Sequence, residues 1–188
     1  MKICVTGGLG SGKSRVLAIL RAQGDFVLSA DEVNAEMLRD PEYLKKLQVL
    51  FPSCVNEGGA DRAAIRKEIE RSQHKRLALN ALSHNEIFAR IQEKASQVER
   101  VFFEIPLLTA ERAADFDKVW YVSASEPVRV RRIMERDGVA EQSARFFVEV
   151  QREYQGIKQA ATSIIHNEGD EDLEAEVLRL LAEVKLQR

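Results

Sequence analysis

Gly7-Gly8-Leu9-Gly10-Ser11-Gly12-Lys13-Ser14 stands directly between an apolar run, Ile3-Cys4-Val5, and a helical pattern from Val16 to Leu20. The octapeptide fits the phosphate-binding pattern G-x-x-x-x-G-K-[ST], in the order of strand, loop and helix that the pattern requires. Each part has a physical reason. Glycines let the backbone turn tightly enough for its amides to close around phosphate oxygens. The helix that follows aims the positive end of its dipole at the same anion. Lys13 adds a mobile charge for the outer phosphates, and the Ser14 hydroxyl is the expected Mg²⁺ ligand. The competing explanation, a glycine-rich turn with a solvated lysine, does not account for the flanking strand and helix.

Working outward, apolar runs recur between helical patterns, the signature of a parallel sheet covered by crossover helices. Strands are expected at 2–6, 26–29, 101–105, 118–122 and 163–166, and helices at 14–23, from Asp31 through Leu38, and from about 171 to 185. The predicted fold class is α/β: a P-loop NTPase-type parallel five-stranded sheet with flanking helices, in a single domain over 1–188. Residues 41–100 differ. They carry helical spacing (Leu44, Leu47, Leu50; Ile65, Ile69; Ile87, Ile91) and no convincing strand, with breaks at Pro52 and Gly58-Gly59. They read as a helical insertion projecting where doubly wound sheets bind ligands.

The 188 residues suffice for one sizeable core and a small insertion. Net charge is −2, from 28 basic and 30 acidic residues, so no nucleic-acid-coating surface is expected. No apolar stretch approaches membrane-spanning length, and the expectation is a cytoplasmic protein with no membrane partner. Cys4 and Cys54 lack metal-ligand spacing, and His74, His84 and His166 are scattered, which argues against zinc. Cys4 reads as a small buried hydrophobe within the first strand.

Three further groups could do chemistry. Asp31 follows the second strand and should stand at the same sheet edge as the phosphate loop, where a carboxylate could accept a proton from an attacking hydroxyl or help hold Mg²⁺. It could equally cap a helix. Glu104 ends the third expected strand, where an acidic residue could orient the metal's water shell, or merely face solvent. Arg129, Arg132 and Arg136 share one helix face, with Arg131 beside them, before Asp137-Gly138 ends that helix and a second one holding Arg145 and Arg152 begins. Two such helices over 126–155 would make an arginine-bearing lid over the phosphates, although charge runs are commonly just wet helix faces. A small GTPase switch is disfavoured: no Asp is followed three residues later by Gly, and Asn-Lys does not occur.

The motifs resemble the dephospho-CoA kinase family along essentially the whole chain. Thr6 to Ser14 is close to the family's T-G-G-I-G-S-G-K-S, and Ser29-Ala30-Asp31 stands where it reads D-A-D. Asp61-Arg62-Ala63-Ala64-Ile65-Arg66 is similar to D-R-x-x-L-R, and Leu82-Ser83-His84 to L-x-H-P. Glu104-Ile105-Pro106-Leu107-Leu108 matches [DEV]-x-P-L-L, Arg132 to Asp137 is similar to R-x-M-x-R-D, and Ile164 to Gly169 to V-I-D-N-x-G. The specificity lies in their order and spacing together.

The resemblance implies transfer of the ATP γ-phosphoryl group to the ribose 3′-hydroxyl of dephospho-CoA, the last step of coenzyme A synthesis. It implies a P-loop kinase core, a helical CoA-binding region and a lid. Asp31 matches the family's proposed base, acting with Lys13 and Arg136. ATP would be held by Gly8, Leu9, Gly10, Ser11, Gly12, Lys13, Ser14, the Arg15 amide, Arg132 and Arg136, with backbone near Asn167 at the adenine. Ser14 and Glu104 would serve Mg²⁺ and Asp31 the acceptor; Arg62 and His84 are candidates for holding acceptor phosphates, though Arg62 could instead pair with a neighbouring carboxylate and His84 cap a helix. Departures are Arg15 for threonine, Ser29 for aspartate, Asn85 for proline, Thr109-Ala110 for the usual continuation (with Glu111 adjacent) and Thr162 for aspartate. Another small-metabolite kinase, or a nucleotide-binding regulator without turnover, is the alternative; shikimate kinases carry a glycine triplet where this chain has Ile105-Pro106-Leu107. Oligomeric state is not specified.

Overall fold

A computed structural model describes residues 1–56, 59–106, 108–169 and 172–186, with only the backbone described for His84 and for residues 152–155. The elements in chain order are β1 (Lys2–Thr6), α1 (Lys13–Ala22), β2 (Phe26–Ser29), α2 (Ala30–Met37), α3 (Pro41–Leu50), β3 (Val55–Asn56), β4 (Gly59–Ala60), α4 (Arg62–Arg71) and α5 (Gln73–Ser96). There follow β5 (Val101–Glu104), α6 (Ala110–Ala113), β6 (Lys118–Ser123), α7 (Glu126–Asp137), α8 (Glu141–Val150), a 3-10 helix (Gln151–Lys158), β7 (Ser163–His166) and α9 (Leu173–Leu186). They form two compact units, Met1–Leu28 with Val98–Arg188, and Ser29–Gln97.

The first unit is built on a five-stranded sheet in the order β2-β5-β1-β6-β7. β1 pairs in parallel with both neighbours, Val5 standing opposite Glu104 on β5 and Trp120 on β6. Strands covered on both faces read as continuous apolar runs, which is what Ile3-Cys4-Val5 and Val119 to Val122 are. Val16, Leu17 and Leu20 of α1 and Leu173, Val177, Leu180, Leu181 and Val184 of α9 bury against Ile3, Val5, Phe102, Trp120 and Ile165. Because β5 lies on one side of β1 and β6 on the other, the segment leaving β1 emerges at the point where strand order reverses. Open α/β sheets bind ligands there.

The expected sheet is present, with small differences at the ends. β5 stops at Glu104, one residue early, although the Ile105 amide still donates to the Val5 carbonyl at 3.3 Å. The start expected for the last helix, Glu171, lies outside the described residues. Thr162, in the place of an aspartate, ties down the entry to β7: its Oγ1 accepts from the Val119 amide and donates to the Val119 carbonyl. Among the described residues no helix is long and apolar enough to cross a membrane.

The second unit is mainly helical, and its caps are written in the sequence. Asp40, Asp61 and Ser72 accept from the first amides of α3, α4 and α5 respectively. Tyr43, Leu47, Phe51, Ile65 and Ile91 are buried within it. The expectation of no strand between 41 and 100 is corrected by the β3–β4 hairpin, in which Val55 faces Ala60 and Asn56 faces Gly59. Two-residue strands carry no periodicity to read, and the Asp61 amide donating to the Cys54 carbonyl closes the hairpin from outside it. α5 runs unbroken through Asn85, where a proline would remove a helical donor and clash with the preceding turn.

Candidate active site

The loop after β1 is shaped by glycine at the positions where side chains cannot go. Gly12 (φ 95°) turns the chain into α1, and Gly10 (φ 77°) lies so close to α7 that an added Cβ would sit 2.6 Å from the Arg129 carbonyl oxygen. The Ser11 amide donates to the Gly8 carbonyl at 3.1 Å, which closes the turn. Lys13 is buried in its own loop, its Nζ donating to the carbonyls of Gly7 (2.9 Å) and Gly8 (3.2 Å). The ammonium is thus held against the loop's own carbonyls. Ser14, in the first turn of α1, is exposed. The Arg15 amide, expected to reach an α-phosphate, donates to the Gly12 carbonyl at 3.0 Å. Gly10→Ala combines a strained φ with a backbone clash. It is expected to cost about 2 kcal/mol, lowering the melting temperature by roughly 5 °C in a thermal scan.

Side chains far along the chain hold this loop. Arg129 on α7 is only 8% exposed, and its Nε donates to the Leu9 carbonyl at 2.8 Å. Gln151, at the start of the 3-10 helix, accepts on Oε1 from the Leu9 amide (2.7 Å) and from Arg129 NH2 (3.3 Å). Burial pulls the Arg129 guanidinium below its ordinary pKa, opposed by Tyr121 and Glu126. Arg132, expected at the ATP phosphates, donates through NH1 to the carbonyls of Gly10 (3.3 Å), Ser11 (3.4 Å) and Asn167 (3.0 Å). Asn167, expected to serve adenine through its backbone, buries its side chain and donates through Nδ2 to the Ser11 carbonyl at 2.8 Å. The helical spacing marked the arginine face without ranking its members, and nothing in the sequence marked Gln151.

Arg136 is not brought to the loop by any hydrogen bond. It is exposed at the end of α7, paired through Nε and NH2 with Asp137 at 2.7 and 2.8 Å, and that partner raises its pKa. Glu104 is half-buried at the end of β5, in register with Val5 two residues before the loop. A serine hydroxyl and a carboxylate are the kind of oxygen donors that Mg²⁺ accepts when phosphate and water complete its shell.

In the second unit, Asp31 is exposed in the first turn of α2 but does not cap it. Ser29 does: its Oγ accepts from the Asp31 amide, while Glu32 accepts from the Ser29 amide, a reciprocal capping box. The carboxylate of Asp31 is bonded to no group among the described residues, so the capping alternative fails on geometry. A cavity of about 220 Å³ lies among Leu38, Leu47 and Ile65 on its apolar side and Tyr43, Arg62 and Arg66 on its polar side. The Tyr43 hydroxyl and Ser83 Oγ share a hydrogen bond at 3.0 Å at its wall. His84 belongs to α5; its side chain lies outside the described residues.

The chain is similar to known proteins along nearly its full length. A dephospho-CoA kinase family model matches residues 1–172. The dephospho-CoA kinase of Thermus thermophilus is 34% identical, over 97% of this chain and 91% of its own. That of Carboxydothermus hydrogenoformans is 29% identical, over 97% and 94%. Among solved structures, a Thermus thermophilus protein superposes with a TM-score of 0.80 at 34% identity, covering 98% of this chain and 97% of its own. A dephospho-CoA kinase from Campylobacter jejuni gives 0.74 at 23% identity, covering 98% of each. A shikimate kinase from Bacteroides thetaiotaomicron shares the fold at 0.60 and 17% identity.

Proposed function

The chain belongs to the dephospho-CoA kinase family, and from that premise we propose that it transfers the γ-phosphoryl group of ATP to the ribose 3′-hydroxyl of dephospho-CoA, giving CoA and ADP. The observation that carries this reading is the preformed loop, with Lys13 buried over it, on a chain that aligns with that family over nearly its whole length. Phosphoryl transfer needs positioning and charge compensation more than covalent chemistry, and a cradle of amides with one ammonium supplies both.

In this reading the loop from Gly8 to Ser14 surrounds the triphosphate, with the Leu9 amide taken by Gln151, and Lys13 balances the charge that grows on the outer oxygens. Ser14 and Glu104 would hold Mg²⁺, which would supply positive charge to offset that of the phosphates. Asp31 takes the proton of the acceptor hydroxyl, and its lack of a structural partner supports that assignment. Arg136, freed from Asp137, reaches the phosphates with its own side chain from the far end of α7, the proposed lid over 126–155 staying seated on Leu9 at its near end. The second-unit cavity is proposed to take part of the acceptor, whose phosphates would meet Arg62 and Arg66. His84 and the Asn167 backbone are proposed to contact acceptor and adenine respectively. The setting proposed is the cytoplasm.

A coupled ADP-release assay tests the reading. ADP formation is expected only when ATP, Mg²⁺ and dephospho-CoA are present together, with shikimate and deoxyadenosine inert as acceptors. Turnover on either of those two, or nucleotide binding without turnover on dephospho-CoA, would overturn it.

A further inference from the structure

We propose that Arg129 and Gln151 are positioning residues for phosphoryl transfer, clamping the Leu9 peptide so that the phosphate loop keeps its ATP-receiving shape. Leu9 stands near the middle of a stretch with four glycines among six residues, Gly7 to Gly12. Such a stretch has more backbone freedom to lose than any other, and ordering it at the moment of binding would weaken the nucleotide's hold. Here the ordering is done in advance. Arg129 Nε takes the Leu9 carbonyl and Gln151 Oε1 takes the Leu9 amide. Arg129 NH2 donates to the same Gln151 oxygen, so the two side chains brace each other. Both groups facing Gln151 are donors, which fixes its amide with the oxygen inward.

The clamp also explains where the loop's neighbours come from. Arg129 lies near the start of α7 and Gln151 directly after α8, so the pair sits at the open end of the α7–α8 hairpin. The Leu9 side chain packs against the apolar seam of that hairpin, made by Val130, Ile133, Ala144 and Val148. Gly8 has no room for a Cβ because the Arg129 guanidinium occupies it. Backbone and side chain of one loop residue are therefore seated on the hairpin. Arg136, at the far end of α7, is left out of the arrangement. Neither clamp residue need touch substrate.

The test is nucleotide binding by the full chain, read as the Kd for ATP with Mg²⁺, alongside kcat and both KM values. Gln151→Met keeps the side chain's length and removes the acceptor; Arg129→Lys keeps charge and removes the fork. Each is expected to weaken ATP binding about tenfold, leaving the KM for dephospho-CoA within twofold. Because the pair acts as a unit, the double variant should lose far less than the product of the two losses. A loss below threefold in Gln151→Met, or losses that multiply, overturns the clamp. Gln151 is only half-buried, so its variant decides the matter if Arg129→Lys does not fold. The inference rests on the loop being an ATP site and not on the acceptor. Failure of the unsubstituted protein to bind ATP would sink the proposed function as well, whereas unchanged variants would sink the clamp alone.

Discussion

Lys13→Ala is expected to lower kcat/KM for ATP about a thousandfold, roughly 4 kcal/mol of lost transition-state stabilisation. The reason is the place of its ammonium. Nζ is held by the carbonyls of Gly7 and Gly8, at the mouth of a loop whose other contributions to anion binding are partial charges on amides. Removing it takes away the one full charge that the loop sequence itself carries. The fold should survive, because alanine is the best helix former and the position opens α1. Circular dichroism should therefore be unchanged while ADP release collapses. Lys13→Arg is not expected to rescue, since a planar fork cannot take the place of a compact ammonium inside so tight a turn. Turnover within tenfold of the unsubstituted protein would remove Lys13 from the chemistry.

Asp31→Asn is expected to lower kcat by about 10²- to 10³-fold, in the range for loss of a positioned base, with the KM for ATP nearly unchanged. Asparagine is close in size and cannot take up a proton at working pH. α2 should not notice the change, because Ser29 and Glu32 make its capping box and only the backbone amide of Asp31 takes part. A split between kcat and the KM for ATP separates this role from a binding one. Should kcat stay within threefold, the proton goes elsewhere, and Glu104 is the next carboxylate to replace.

Much of this was legible in the sequence, and the failures have identifiable causes. The three central strands are legible because parallel strands covered on both faces are largely apolar, and the edge strands β2 and β7 because short apolar runs stand between helical patterns. The β3–β4 hairpin was invisible because its strands are two residues long. Ser29 shows a subtler gap. Read against a family pattern it is a missing negative charge; in the structure it is the cap that leaves Asp31 unengaged. Thr162 likewise looks like a lost acid and proves to bond both backbone groups of Val119.

The loop, its lysine and its hydroxyl were determined by the sequence alone. Their chemistry is local: eight contiguous residues, a strand before them and a helix after, specify a turn that only glycines follow and a dipole that only anions suit. What holds that turn was decided by tertiary structure. Arg129 and Gln151 reach Leu9 from 120 and 142 positions away along the chain. Their sequence neighbours differ little from other charged or polar helix residues. Helical spacing could put Arg129, Arg132 and Arg136 on one face, but only packing depth could assign the first two to the loop's carbonyls and pair the last with Asp137. Spacing along a helix fixes direction around its axis, and burial against a distant segment is a property of the assembled fold.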